Sequence, residues 1–315
     1  MNALFPPTVD GPAHNRINWS LRGGGRAAAG TSKWGIPISV APMTEAERSR
    51  ISAFVEREFG IKMPPGKKSL LEGRLGKRVA ACGLESFGSY FDYVTKGKGR
   101  TDEYFHFMDL VSTHETAFFR EPRHFEYLRA SALPILCDQE GRRSISVLCA
   151  ACSTGEEAYT LAMIIDSTLM ELRRSDIDFT VEGFDLSSKT IDVAAEGIFP
   201  AGRAATIPEG LRRRYLMMSK DRSKGVCRFV PELRVKLRFH TGNLLGDPGL
   251  DKGSYDILFC RNVLIYFDHA NQRRVVASLV RHMNPNSFLF LGHSETLLNP
   301  DLPLRSVAHS VYREG

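Results

Sequence analysis

Long apolar runs are missing from this chain. No stretch approaches the ~18 consecutive apolar residues of a membrane span, which argues against direct membrane insertion. The opening residues, MNALFPPTVDGPAHNR, lack a basic segment followed by an apolar one, so an export signal is not expected. Cysteine is sparse. Cys82, Cys137, Cys149, Cys152, Cys227 and Cys260 are too scattered for a disulfide scaffold, and a reducing cytoplasm is the simplest setting. Charge of one sign is in small excess only: 42 Lys and Arg against 36 Asp and Glu leave +6, which suits an acidic partner. The basic residues are not interleaved with aromatics in a stripe, so nucleic acid is not an expected partner. The chain also lacks a G-x-G-x-x-G loop, which argues against a dinucleotide site.

What is present is a 315-residue chain, 43% hydrophobic and 25% charged, the balance of a soluble globular protein with room for two full cores. Residues 1–42 are rich in Gly, Pro, Ala and Ser, include GGGRAAAG, and hold both tryptophans, Trp19 and Trp34. They are expected to be a disordered tail. From Met43 the texture becomes helical. Thr44-Glu-Ala-Glu resembles a capping box, and Ile51, Phe54, Val55 and Phe59 fall on one face before Gly60. A second helix after Pro64-Pro65 buries Leu71, Leu75 and Val79, and its other side carries Lys67, Lys68, Arg74, Lys77 and Arg78 against one acid, Glu72. That one-sided face is the candidate for an acidic partner. Helical patterns over 86–95 and 101–112 complete a small all-helical domain, assigned with its linker to 43–130. The linker carries Phe118, Phe119 and Arg120 before a Glu-Pro turn, with a helix expected over 123–130.

The stretch ISVLCAACSTGEEAYTLAMII, residues 145–165, reads as strand, tight turn and helix. Ser153 or Thr154 is expected to cap the helix, Gly155 to let backbone approach a ligand, and Glu156 and Glu157 to suit the positive first turn. Two carboxylates at that spot repel phosphate and favour a cationic or neutral adenosine ligand, of which S-adenosylmethionine is the common cofactor. Residues 179–184 form the second expected strand, and Asp185 at its tip stands where Rossmann-like folds bind ribose hydroxyls. Between about 200 and 240 the alternation breaks: a basic helix LRRRYLMM and strands over 226–230 and 235–239 predict a small antiparallel insertion. Strands over 255–260 and 287–291 flank a helix over 270–282. The fold class is therefore α/β, a mostly parallel sheet covered on both faces over 131–315. Cys149-x-x-Cys152 has redox spacing but no second pair to complete a zinc site, and no metal is expected. His293-Ser294-Glu295 are sequence neighbours and read as pocket wall rather than a nucleophilic triad.

TAFFRE at 116–121, ACSTGEE at 151–157, Asp185, NLL at 243–245, FCRNVLIYFD at 259–268 and GHSE at 292–295 together resemble the chemotaxis receptor methyltransferases of the CheR type. The resemblance covers residues from about 45 to 312. It implies a Rossmann-like S-adenosylmethionine methyltransferase domain behind a helical domain, methyl-esterifying glutamates on the cytoplasmic part of chemoreceptors and releasing S-adenosylhomocysteine. It further implies that Thr116, Arg120, Glu157, Asp185, Asn243, Leu244, Arg261 and Asn262 line the cofactor pocket, with Arg120 and Tyr266 nearest the methyl. His114 stands where the family often has Asn, and a protonated imidazole there would sit poorly beside a sulfonium. The basic second helix would meet the receptor, and the β insertion in some relatives holds a receptor tail peptide. Two other classes stay open: a methyltransferase on a different substrate, and a non-catalytic module that senses S-adenosylmethionine.

Overall fold

The computed structural model describes residues 40–96, 102–112, 114–246, 250, 255–297 and 301–315; the expected tail, up to residue 39, and both tryptophans lie outside them. The chain divides into two compact units, Met1–Val55 with Met63–Val111, and Glu56–Lys62 with Ser112–Gly315.

The described residues of the first unit form helices. α1 (Glu45–Phe59) opens on a reciprocal cap: Glu47 N–H donates to Thr44 Oγ1 at 3.2 Å and Thr44 N–H to Glu47 Oε2 at 2.7 Å. α2 (Lys68–Ala81) buries Leu71, Leu75 and Val79, α3 (Phe87–Lys96) buries Phe87, Tyr90, Phe91 and Val94, and α4 (Asp102–Val111) adds Phe107 and Val111. Glu103, 6% exposed, ties three of these helices together. It accepts from Arg78 Nε at 2.7 Å, Arg78 Nη2 at 2.6 Å and the Tyr90 hydroxyl at 2.8 Å. Burial raises the Glu103 pKa, but the bonds from Arg78 and Tyr90 outweigh it and hold the carboxyl below its usual value. Stability from this group is therefore present above the unfolded-state pKa and lost as pH falls through the folded one. Glu103→Gln is expected to cost about 2–3 kcal/mol at neutral pH, read by urea denaturation, and to flatten the acid limb of the stability curve.

In the second unit the chain runs through α5 (Pro122–Tyr127), a wider turn Leu128–Ala132, α6 (Leu133–Cys137), β1 (Ser144–Ala150), α7 (Glu156–Glu171), β2 (Asp178–Asp185) and α8 (Ser188–Glu196). Then come β3 (Ile198–Pro200), α9 (Ala201–Ala204), α10 (Glu209–Tyr215), β4 (Leu216–Met218), β5 (Val226–Phe229), α11 (Pro231–Arg234) and β6 (Leu237–Thr241). β7 (Tyr255–Cys260), α12 (His269–Val280), β8 (Met283–Leu291), β9 (Leu304–Ala308) and β10 (Val311–Glu314) close it. The main sheet has the order β6-β2-β1-β7-β8-β10-β9, parallel through β8 and antiparallel beyond. Its strands alternate between two cores. Val147, Cys149, Val181, Ile257 and Phe259 face one, with Phe125, Leu128 and Leu161; Leu148, Ala150, Phe184, Leu258 and Cys260 face the other, with Val275 and Leu279.

Several expectations shift. The linker assigned with the helical domain packs here instead, because Phe118, Phe125 and Leu128 are almost fully buried in the sheet core. Val235–Phe239 is not part of the insertion. Pro231 starts the one-turn α11, which sends the chain back to pair β6 with β2 in parallel, Val181 opposite Leu237. LRRRYLMM is helical only to Tyr215; Leu216–Met218 pairs with β5 in the small antiparallel sheet β3-β5-β4. The β9-β10 hairpin was not foreseen.

Candidate active site

Three strand ends meet at one edge. Ala150 lies level with Phe184 on one side and with Cys260 on the other, so the turn after β1, the tip of β2 and the segment after β7 converge. This is the switch point at which β1 is flanked by β2 and β7, the place where open α/β sheets bind ligands. Around it opens a cleft of about 1010 Å³, counting its solvent-open part.

The turn after β1 differs from its expected construction. Gly155, at φ +93°, is itself the cap residue of α7, and neither Ser153 nor Thr154 caps it. Ser153 donates its N–H to Asp185 Oδ2 at 2.8 Å and its hydroxyl to the His114 carbonyl at 3.1 Å. A Cβ on Gly155 would stand 2.8 Å from the Ala194 Cβ, so this glycine admits helix α8 rather than a ligand. The two glutamates also part ways. Glu156 is fully buried, accepts from Arg203 Nη1 at 2.7 Å and Thr154 Oγ1 at 2.5 Å, and does not face the cleft; Glu157 does.

Arg261 organises the wall. Its side chain is fully buried, with Nη1 on Glu157 Oε2 at 2.9 Å and Nη2 on Glu121 Oε2 at 2.9 Å and the Arg120 carbonyl at 2.6 Å. Its guanidinium lies 5.2 Å over the Phe125 ring and 5.7 Å from that of Phe259. Glu121 also accepts from Asn262 Nδ2 at 2.8 Å. Burial works to raise the Glu121 pKa, but the donors from Asn262 and Arg261 prevail and hold it at about 2. Glu157 goes the other way: burial raises its pKa, against the opposing charge of Arg261 and a bond from the Cys149 thiol at 3.4 Å. That thiol and Cys152 are buried, which pushes both far above the ordinary thiol range and leaves the pair without redox character.

Asn262 sits at φ +58°, and its N–H donates to Glu295 Oε2 at 2.9 Å. Glu295 accepts three more backbone N–H groups, from Gly292 at 2.6 Å, Leu264 at 2.7 Å and Ile265 at 3.3 Å. Gly292 is glycine because a Cβ would lie 2.7 Å from Glu295 Oε2 and 2.9 Å from the Asn262 nitrogen. The GHSE segment is thus a buckle for the loop after β7, not a nucleophile. Backbone strain concentrates here: Phe119, Glu121, Ala151, Ser153 and Asn262 all have positive φ.

Each pocket residue expected from the sequence lines this one cleft. Asp185 is 7% exposed and accepts from Ser153 N–H, from Ser187 N–H at 3.0 Å and from the Thr190 hydroxyl at 3.3 Å. Asn243 accepts from Leu245 N–H at 3.0 Å and donates to the Glu58 carbonyl at 3.2 Å, with Leu244 beside it. His114, Thr116 and Arg120 also line the cleft, and Arg120 Nη1 donates to the Glu115 carbonyl at 3.0 Å. Tyr266, in the tight turn Leu264–Tyr266, completes the lining. Glu121 was not picked out from the sequence, and Glu295 only as wall; the acid after TAFFR is the signal that would have found the first. Lys67, Lys68, Arg74, Lys77 and Arg78 belong to the first unit. There Arg78 is committed to Glu103, and Arg74 donates to the Leu110 and Val111 carbonyls, both at 3.4 Å.

The donor set fits S-adenosylmethionine. Among the lining residues Glu115, Glu157 and Asp185 outnumber Arg120 and Arg261, and Arg261 is further neutralised by Glu121 behind the wall, which suits a sulfonium; Phe184, Leu186, Val263 and Phe267 supply an apolar face for a base. Family comparison agrees. Residues 46–112 match the model described as CheR methyltransferase, all-alpha domain, and residues 114–312 the one described as CheR methyltransferase, SAM binding domain. A chemotaxis protein methyltransferase of Borreliella burgdorferi is 31% identical over 84% of this chain and 92% of its own. Chemotaxis protein methyltransferase 2 of Pseudomonas aeruginosa is 32% identical over 85% and 93%, and the Escherichia coli chemotaxis protein methyltransferase 32% over 80% and 85%. The chain belongs to the CheR methyltransferase family and uses S-adenosylmethionine.

Proposed function

We propose that this chain transfers a methyl group from S-adenosylmethionine to glutamate carboxylates on the cytoplasmic part of chemoreceptors, forming methyl esters in chemotaxis adaptation. The observation that carries this reading is the state of the wall's buried acids. Glu157 is paired to Arg261, Asp185 holds three donors and Glu295 four, so these buried acids are committed to building the wall, and the exposed Glu115 and the half-buried His114 are the other groups on the cleft that can take up a proton. A glutamate substrate is ionised at neutral pH and needs no general base. When bound, the cofactor supplies an electrophilic methyl on sulfur. Glu157, Asp185, Asn243 and Leu244 would hold it, with His114, Thr116, Arg261 and Asn262 around them.

The protein's contribution is alignment and exclusion of water. Orientation of reacting atoms supplies on the order of 7–11 kcal/mol at its generous limit. Arg120 and the Tyr266 hydroxyl, both on the cleft, orient the incoming carboxylate without covering its nucleophilic oxygen. Lys67 just before α2, with Lys68 and Lys77 on it, offers positive charge to an acidic receptor surface, with Arg74 and Arg78 holding the helix in place. The β3-β5-β4 sheet is the place for a receptor tail peptide to add a strand. Among the described residues no helix is long and apolar enough to cross a membrane, in keeping with an enzyme that visits receptors from the cytoplasm.

The test is transfer of labelled methyl to receptor-containing membranes, scored as methanol released by mild alkali. Alkali-labile label is expected, and Arg120→Ala is expected to lower kcat roughly 10²-fold with S-adenosylhomocysteine binding intact. Tyr266→Phe should lower it less. Alkali-resistant label would mean a different acceptor, and binding without any transfer a sensing module.

A further inference from the structure

Glu121, His124 and His293 each offer one ligand atom, and these atoms lie within 4.8 Å of one another. His124 is 2% exposed. Its Nε2 lies 3.3 Å from the His309 carbonyl, which fixes the proton there and leaves Nδ1 as a bare lone pair. That buried Nδ1 has no hydrogen-bond partner and stands 3.5 Å from Glu121 Oε2, acceptor against acceptor. The His293 ring packs edge-on to that of His124, centroids 4.6 Å apart, and is exposed, so the third ligand lies where an ion arrives from solvent.

We propose that Glu121, His124 and His293 bind a divalent transition-metal ion of the zinc class. Two imidazoles and a carboxylate with an open fourth position form a donor set that Zn²⁺ favours. Bonds of ~2.0–2.1 Å in a tetrahedron put ligand atoms ~3.3–3.4 Å apart. Glu121 Oε2 and His124 Nδ1 already stand at about that spacing, so only the exposed His293 ring has to close. The His124 second shell is in place, since its other ring nitrogen donates to a backbone carbonyl. Arg261 holds the same Oε2 at 2.9 Å, so the ion competes with a cation and the site is exchangeable rather than structural. Occupancy would draw Glu121 from Arg261 and reach the cleft wall through Asn262, which shares the carboxylate.

Titration of the full chain with Co²⁺ tests this directly. Visible absorption bands of tetrahedral Co²⁺ are expected to saturate at one equivalent and to be displaced by Zn²⁺. His293→Ala keeps the backbone N–H that donates to Glu121 at 3.2 Å and removes only an exposed ring, so it should fold as the parent, checked by circular dichroism. It should weaken Co²⁺ binding at least tenfold. Absence of saturable bands in the parent, or equal binding by His293→Ala, would overturn the proposal, the latter by showing that the ion sits elsewhere.

Discussion

Arg261→Met is expected to cost about 3–5 kcal/mol of folding stability, a large share of the ~5–15 kcal/mol that holds an ordinary domain together. The loss does not come from the cation's own attraction alone. Methionine fills the space between Phe125 and Phe259 but leaves Glu121 and Glu157 as two carboxylates in a dry wall, and leaves the Arg120 carbonyl without its donor. The pH dependence has a definite sign. Burial already raises the Glu157 pKa in the parent, and without Arg261 it rises further. A carboxyl whose folded pKa lies above its unfolded one destabilises the fold above the folded value and ceases to do so below the unfolded value. The deficit against the parent should therefore be full at neutral pH and shrink as Glu157 takes up a proton. Adding Glu157→Gln to Arg261→Met should restore at least 1 kcal/mol, a coupling that isolated positions do not show. Denaturation by urea, followed by circular dichroism, reads both effects. A midpoint unchanged in Arg261→Met would mean that water already solvates the cluster.

Much of this site was legible because it rests on local rules. The apolar run before Ala151 and the helical spacing after Ala158 mark strand, turn and helix, and an acid at the tip of β2 falls at the same edge once the strands are parallel. Residues from six separate segments then meet without any one segment showing it. What stayed hidden depends on distant partners. Glu121 meets Arg261 140 positions along the chain, and nothing near Glu121 announces that guanidinium. Gly155 was read as room for a ligand, yet the atom it admits is the Ala194 Cβ of another helix. The apolar alternation at Val235–Phe239 marks a strand but not its sheet; the one-turn α11 before it decides that. The five basic residues Lys67, Lys68, Arg74, Lys77 and Arg78 look alike in sequence, and only the buried Glu103 separates Arg78 from Lys77.

Asp185→Asn is expected to weaken S-adenosylhomocysteine binding about 10²-fold while leaving a folded chain of lower melting temperature. A carboxylate offers about four acceptor positions. Ser153 N–H takes one on Oδ2, and Ser187 N–H with the Thr190 hydroxyl takes two on Oδ1. About one position is left to point at the cleft, fewer than the two ribose bonds a free carboxylate offers, so in the proposed role Asp185 accepts one strong bond from the ligand. An amide cannot keep this arrangement. Its NH2 must face either Ser153 N–H or the pair on the other oxygen, donor against donor, at about 1–3 kcal/mol for the buried group left unsatisfied. That cost is incurred with or without ligand and lowers the melting temperature, whereas the ligand itself loses a charge-assisted bond, and about 3 kcal/mol for that bond is roughly the 10²-fold stated. Calorimetry with S-adenosylhomocysteine measures the affinity, and the turnover assay separates the causes. A cofactor-holding role predicts a raised KM for S-adenosylmethionine with kcat recovered at saturation. Because the same carboxylate holds the turn that carries Glu157, a fall in kcat that saturation does not repair would show that Asp185 acts through the shape of that turn. Affinity within threefold of the parent would remove Asp185 from the ribose altogether.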